Sequence, residues 1–260
     1  MRDYKSNMFV FVIVLAVSLV GSTAFAEEPS SGPKDWEFNL APFYLWAVSI
    51  EGDQTVGSNT GDIDVEFDDI FDKLETAFIF NFQGMYRNKW GFLIDYNYLK
   101  LSDDDTSGVL NTDVDLKLNL IEADGLYRWS ISNHDIDAKI GVRYTSMDTD
   151  VKLKGGPINI KADQNVDWIY PLIGMRWGWR FADQWKLLLN GDVGGFDIGD
   201  TRLAWQASGI IDWQPFKYVS FIGGYRALYQ DYEKGSKGSE NYYNFDATMY
   251  GPVIGVNFRW

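Results

Sequence analysis

Few groups in this chain are able to do covalent chemistry. It holds one histidine, His134, and no cysteine. Thiolate nucleophiles, disulfides and thiolate metal sites are thereby excluded. A histidine-based general base would have to be His134. That residue stands in "SISNHD" (130–135), a polar stretch with the composition of a tight turn, so a solvated imidazole is expected there. Two carboxylates, Glu122 and Asp124, recur at i and i+2, but nothing marks them as a poised acid and base. Acidic runs at "DIDVEFDDIFD" (62–72) and "SDDD" (102–105) offer oxygen ligands suited to loose Ca²⁺ or Mg²⁺ binding. No catalytic, cofactor or metal-ligand motif emerges, and the expectation is a protein that is not an enzyme. The formal net charge of −14 argues against a nucleic-acid partner.

The elements that carry these residues are strands. Aromatic content is 17%, with 11 Trp, 15 Tyr and 17 Phe, yet the apolar residues rarely gather into runs. The exception is residues 1–26: Arg2 and Lys5, then "MFVFVIVLAVSLV", then "AFA", the layout of a secretory signal peptide. A short segment, 27–35, follows, and from Trp36 onward the period is two. Ile136, Ala138, Ile140, Val142 and Tyr144 alternate with Asp135, Asp137, Lys139, Arg143 and Thr145. Val114, Leu116, Leu118 and Leu120 oppose Asp113, Asp115, Lys117 and Asn119. In the first segment Trp36, Phe38, Leu40, Pro42, Tyr44, Trp46, Val48 and Ile50 share one face. A helix, repeating at 3.6 residues, does not produce this pattern.

A soluble barrel would turn the apolar face inward, and a membrane barrel turns it outward. Aromatics near segment ends (Trp36, Tyr44, Trp46, Tyr96, Tyr98, Trp177, Trp179, Trp213) read as interfacial girdles, and connections alternate between short and long. The expectation is an all-β, transmembrane, antiparallel up-and-down barrel over 36–260. It has about ten strands, near 36–50, 75–87, 90–101, 113–129, 135–147, 166–181, 184–194, 202–214, 217–230 and 242–260; eight or twelve remain open. Short turns at 87–90, 130–135, 181–185 and 214–218 face the periplasm, and longer loops, about 51–74, 102–112, 147–165, 195–201 and 231–241, face outward. The stretch 61–67 alternates too and reads as part of the first loop, extending the first strand pair. "FDDIFDKLE" has the pattern of a short amphipathic helix over the mouth. Where polarity changes face, near Leu120/Ile121 and near Tyr250/Pro252, a β-bulge is expected to re-phase the strand. A charge on the lipid face at midplane costs about 2–4 kcal/mol, which motivates the bulges.

The polar face then lines a narrow lumen. Its expected charge network is Arg87, Asp95, Asp115, Lys117, Lys139, Arg143, Arg176, Arg180, Asp192, Arg202, Arg226 and Asp246, with Glu37 and Asp212 alongside. Bulky opposite charges in that space are expected to interlock. The ending "GVNFRW" supplies Gly255, Phe258 and Trp260, whose alternating aromatics resemble the C-terminal assembly signal of outer-membrane proteins, a terminal Phe being commoner than Trp.

"WEFNLAPFYLW", "GDVGGF" (191–196), "GYR" (224–226) and "MYGPVIGVNF" (249–258) together resemble a family of Gram-negative outer-membrane β-barrel proteins of uncharacterised role, similar in outline to small OmpA-like barrels. The resemblance implies an outer-membrane location and a barrel, and carries no activity. The functional expectation is a structural or surface-interaction protein, with a small diffusion pore as alternative and an outer-membrane enzyme a distant third. Expected partners are outer-membrane lipid and lipopolysaccharide, the outer-membrane assembly machinery and loose divalent cations, with the chain a monomer.

Overall fold

The computed structural model describes residues 35–260 except 108–109, 156–157 and 240. The expected leader (1–26) and residues 27–34 lie outside the described residues. The first strands are β1 (Trp36–Trp46), β2 (Ser49–Val56) and β3 (Asn59–Val65), followed by the short helix α1 (Phe67–Asp72). Then come β4 (Leu74–Tyr86), β5 (Trp90–Ser107), β6 (Leu110–Ile131), β7 (His134–Gly155) and β8 (Ile158–Ala182). The last four are β9 (Trp185–Ile198), β10 (Thr201–Trp213), β11 (Val219–Lys234) and β12 (Tyr243–Arg259).

Ten of these strands, β1 and β4 through β12, pair antiparallel in chain order, and β1 closes the ring on β12. Phe38 and Trp260 exchange both backbone hydrogen bonds at 3.1 Å, so the closing seam runs to the last residue. Full closure leaves no unpaired edge in the band that has to meet lipid. Beyond Trp46 the chain breaks its strand, and β2 takes over the place beside the upper half of β12, with β3 added as a hairpin. The stretch 61–67 thus contributes to an extension of the first strand pair rather than to an eleventh barrel strand.

At one end the strands meet in tight turns: Ser132–Asn133 joins β6 to β7 and Asp183–Gln184 joins β8 to β9. At the other end the strands are tall. β6, β7 and β8 have 22, 22 and 25 residues, against the 9–11 or so that cross a bilayer. Much of the expected loops 102–112 and 147–165 is therefore strand. The expected loop at 195–201 tightens to a two-residue turn at Gly199 and Asp200, both in the left-handed region with φ near 60° as a hairpin of this length needs.

Neither of the two expected bulges exists. β6 keeps one register with β5 and with β7 through Leu120 and Ile121, and β12 keeps one register with β11 from Tyr243 to Phe258. The polarity change is one of height, not of phase. In the band nearer the turns the outer face is apolar, with Ile140, Ile173, Met175 and Ile254 all more than half exposed, and the inner face is charged. Toward the tall end the inner face becomes apolar and the outer face polar. Leu118 and Leu120 therefore point inward, directly above Glu122 and Asp124.

The interior of the tall half is an apolar plug built from Leu118, Leu120, Trp168, Leu228, Tyr232, Phe245 and Met249. α1 lies over it and inserts Ile70, which is 2% exposed, while Ser49 Oγ accepts the Phe67 N–H at 3.1 Å. A register shift between Leu40 and Phe43 turns the first strand, so that Trp36, Phe38 and Leu40 face out but Tyr44 and Trp46 face in. Tyr44 and Trp46 are thus lumen residues, not girdle residues.

Candidate functional site

The interior between plug and turns carries the chemistry, and it has two levels. The inner level is a belt of buried charges. Arg143, on β7 and fully buried, donates from Nε to Glu122 Oε2 at 2.9 Å, and from Nη2 to the same oxygen and to Asp192 Oδ1 at 3.0 Å. Its Nη1 donates to the Tyr170 hydroxyl at 3.2 Å, which also accepts from Gln230 Nε2 at 2.9 Å. Lys139 Nζ donates to Glu122 Oε1 and Asp192 Oδ2, both at 2.7 Å, and lies 3.4 Å from Asp124 Oδ2. Arg226, on β11, reaches Asp95 on β5 at 3.1 Å and Gln206 at 2.9 Å, and its guanidinium lies 4.6 Å from the centre of the Trp46 ring.

Bonds such as Arg226–Asp95 and Thr145–Gln230 join strands that are not neighbours, so they cross the bore. Removing charges from water is costly, and a buried cluster persists only when nearly every lone pair and proton is engaged. Local sequence supplies that placement. Glu122 and Arg143 are register partners on β6 and β7, and Gly141 leaves room for Asp124, since a Cβ there would stand 2.0 Å from Asp124 Oδ1.

Below the belt the interior opens as a cup of about 820 Å³ toward the turn end. Asp137 is shared by Arg128 (2.6 and 2.9 Å) and by Arg176 (Nη2 at 2.6 Å), and Arg176 Nη1 reaches across to Gln83 at 3.0 Å. Lys186 pairs with Asp135 at 2.9 Å, and Arg259 pairs with Asp212. Arg180 lines the same cup near its mouth.

Of the twelve charged residues expected in the lumen, Asp95, Lys139, Arg143, Asp192 and Arg226 meet in the belt, while Arg176 and Arg180 lie in the cup. Glu37 and Asp212 also line the cup. Five lie elsewhere. Arg87 sits in the β4–β5 turn, exposed, against Asp35 at 2.8 Å. Asp115 and Lys117 fall on the outer face of β6, because its register never shifts; Asp115 accepts from Ser102 at 2.8 Å. Arg202 stands on the outer surface 3.5 Å from both Asp231 and Glu233. Asp246 is on the outer face of β12, level with Asp53 and Asp231.

Arg128, Lys186 and Arg259 were missed; Lys186 lies at even spacing from Asp192 on its own strand, whereas Arg128 and Arg259 lie at odd spacing from Lys117 and Asp246, the residues expected in the lumen on theirs. Glu122 and Asp124 were expected to be kept off the lipid by the supposed bulge, yet were not placed in the network. Tyr170 had no signal at all: its apolar neighbours conceal an inward hydroxyl.

His134 is not a freely solvated turn residue. It opens β7 on the outer surface, stacked 5.7 Å from Trp177 and 6.0 Å from Trp179, and its Nδ1 accepts the Trp177 indole N–H at 3.2 Å. Outside the barrel at the tall end, Asp62, Asp53, Asp246 and Asp231 stand in one row across four strands. Among the described residues no three His, Asp or Glu side chains are grouped to hold a metal ion, and the side chains of Asp103, Asp104 and Asp105 lie outside the described residues.

No protein-family model and no curated protein sequence matches the chain. Solved structures do match. The outer membrane protease OmpT from Escherichia coli superposes with a TM-score of 0.53 over 89% of this chain and 100% of its own, at 6% identity. The architecture is that of an outer-membrane β-barrel. Ail, the attachment invasion locus protein of Yersinia pestis, aligns over 87% of this chain and 100% of its own at 12% identity and a TM-score of 0.36. The translocator domain of the autotransporter NalP from Neisseria meningitidis covers 98% of each chain at 12% identity and a TM-score of 0.42. At such identities the likeness concerns the fold alone.

Proposed function

We propose that this chain is an outer-membrane protein whose barrel is closed to bulk flow and which serves a structural or surface-interaction role. The turn end faces the periplasm and the tall strands with α1 stand outside the cell, after export by the leader 1–26. One observation carries the reading: the bore is occluded twice over, by the belt around Arg143 and by the apolar plug beneath Ile70. A ten-stranded barrel is only slightly wider than one its own side chains fill, so either level suffices to stop solutes. The alternative of a diffusion pore would need both levels to part together.

Against a protease-like activity such as the name of OmpT suggests, His134 lies on the outer girdle, away from the luminal carboxylates. Lipid and lipopolysaccharide meet the outer apolar band and girdle, and Gly255, Phe258 and Trp260 are the segment offered to the assembly machinery.

Liposome swelling tests the closed state. Liposomes bearing the refolded protein are expected to swell in isosmotic small sugars no faster than protein-free ones. Fractionation with the outer membrane and heat-modifiable migration on gels test the location, and recovery as a soluble periplasmic protein would end the reading.

A further inference from the structure

The cup is of the size that holds small ligands, for which pockets run from about 300 to 1,000 Å³. Its wall is charge-balanced in a strongly acidic chain. Arg128 and Arg176 share the single carboxylate of Asp137, while Lys186 and Arg259 have Asp135 and Asp212. Arg226 pairs with Asp95; Glu122 and Glu37 are the remaining acids, and Arg180 has no hydrogen-bond or ion-pair partner for its guanidinium among the described residues. Six bases thus face six acids, a neutral balance in a chain of formal charge −14, and Arg180 is the base left without a partner. An unpartnered guanidinium at the mouth of a recess offers its fork to a carboxylate.

The wall is also banded. Arg180, Lys186 and Asp212 stand side by side on β8, β9 and β10, and Arg176, Asn190 and Ser208 form a parallel row four residues deeper, about 13 Å away at the rise of a strand. Between them lie Gly178, Leu188 and Ile210, an apolar strip in which the Lys186 stem and Leu188 cover the glycine. An arginine fork beside a planar carboxylate, amides and hydroxyls for alcohol groups, and an apolar strip for a C–H face together describe one class of molecule.

We propose that the cup is a binding site for a hydroxylated organic monoanion of monosaccharide size, a sugar acid, entering from the periplasm. Arg180 takes the carboxylate at the mouth, the ring lies over Leu188 and Ile210, and the deeper amides take the hydroxyls. The proposal rests on the closed-barrel reading only in making the cup a dead end, with binding rather than passage as the outcome.

The experiment is calorimetric titration of the refolded protein in detergent with D-glucuronate, with D-glucose and acetate as the arms lacking one half of the ligand. Saturable glucuronate binding at one site is expected. Glucose and acetate should bind at least tenfold more weakly, and Arg180→Gln should lower glucuronate affinity at least tenfold while leaving heat-modifiable migration unchanged. No saturable glucuronate signal, equal binding of acetate or glucose, or an Arg180→Gln variant that binds like the wild type would each overturn the proposal. Conductance of the same preparation is read separately: a conducting barrel that still binds glucuronate through Arg180 refutes the closed state and leaves the site standing.

Discussion

Trp168 on β8 and Tyr232 on β11 stack at 4.5 Å with their planes 15° apart, although β9 and β10 separate their strands. The contact is a chord across the interior, and both residues are almost wholly buried. Trp168→Ala removes this chord and leaves a cavity among Leu228, Phe245 and Tyr232. A loss of about 3–5 kcal/mol is expected, as for large aromatic truncations in cores. Denaturant unfolding of the refolded protein measures it; a loss below about 1 kcal/mol would mean that the plug is not packed.

The belt makes a contrasting pair of predictions. Glu122 accepts from both Arg143 and Lys139, so Glu122→Ala leaves two buried cations to share Asp192 and should cost about 3–5 kcal/mol. Arg87→Ala breaks only the exposed pair with Asp35, and its effect should fall within about 0–1 kcal/mol. Unfolding midpoints of the two variants separate the cases, and equal effects would contradict the placement of either residue.

How much of this was legible in the sequence depended on height along the strand. Near the turns one face is apolar and the other charged, so alternation alone located Lys139, Arg143 and Arg176 on the inner face. Toward the tall end both faces exchange polarity at one level. A period of two reports which residues share a face, but not whether that face looks at lipid, water or a plug. Leu118 and Leu120 therefore looked like lipid-facing residues and Lys117 like a luminal one, and a bulge was invoked to reconcile them. The real irregularity, in β1 after Leu40, was hidden because apolar residues stand on both sides of it. Cross-lumen partners such as Arg226 and Asp95 are 131 residues apart, and no local pattern pairs them.

Outside the barrel, Asp53 faces Asp62 on one side and Asp246 on the other. A shared hydrogen bond with Asp62, the slight desolvation its neighbours impose on the exposed group and the charges of Asp62 and Asp246 raise its carboxyl above the usual range. A raised acid holds its proton more tightly in the folded hairpin, so its stabilising contribution is complete below the unfolded value near 3.9 and is lost as pH rises through the folded one. Amide protection factors in β2 and β3 should therefore fall as pH rises above about 4 in the wild type, whereas Asp53→Asn should flatten the fall. An unchanged pH profile in the variant would contradict this assignment.

At the seam, Trp260 packs on Phe38 at 5.7 Å and Phe258 pairs with Leu40. Replacing Phe258 and Trp260 with Ser is expected to reduce outer-membrane yield severalfold, whereas Ser at Lys237, in the β11–β12 connection, should not. Equal yields would show that the terminal aromatics are no assembly signal in this chain.

The closed bore is the central claim, and planar-bilayer recording of the refolded wild-type protein tests it most directly. Rare, small events are predicted, and Arg143→Ala with Arg226→Ala should add little, because the plug of Trp168, Tyr232 and Phe245 still spans the interior. A steady wild-type conductance at the level of a water-filled ten-stranded bore would contradict the account.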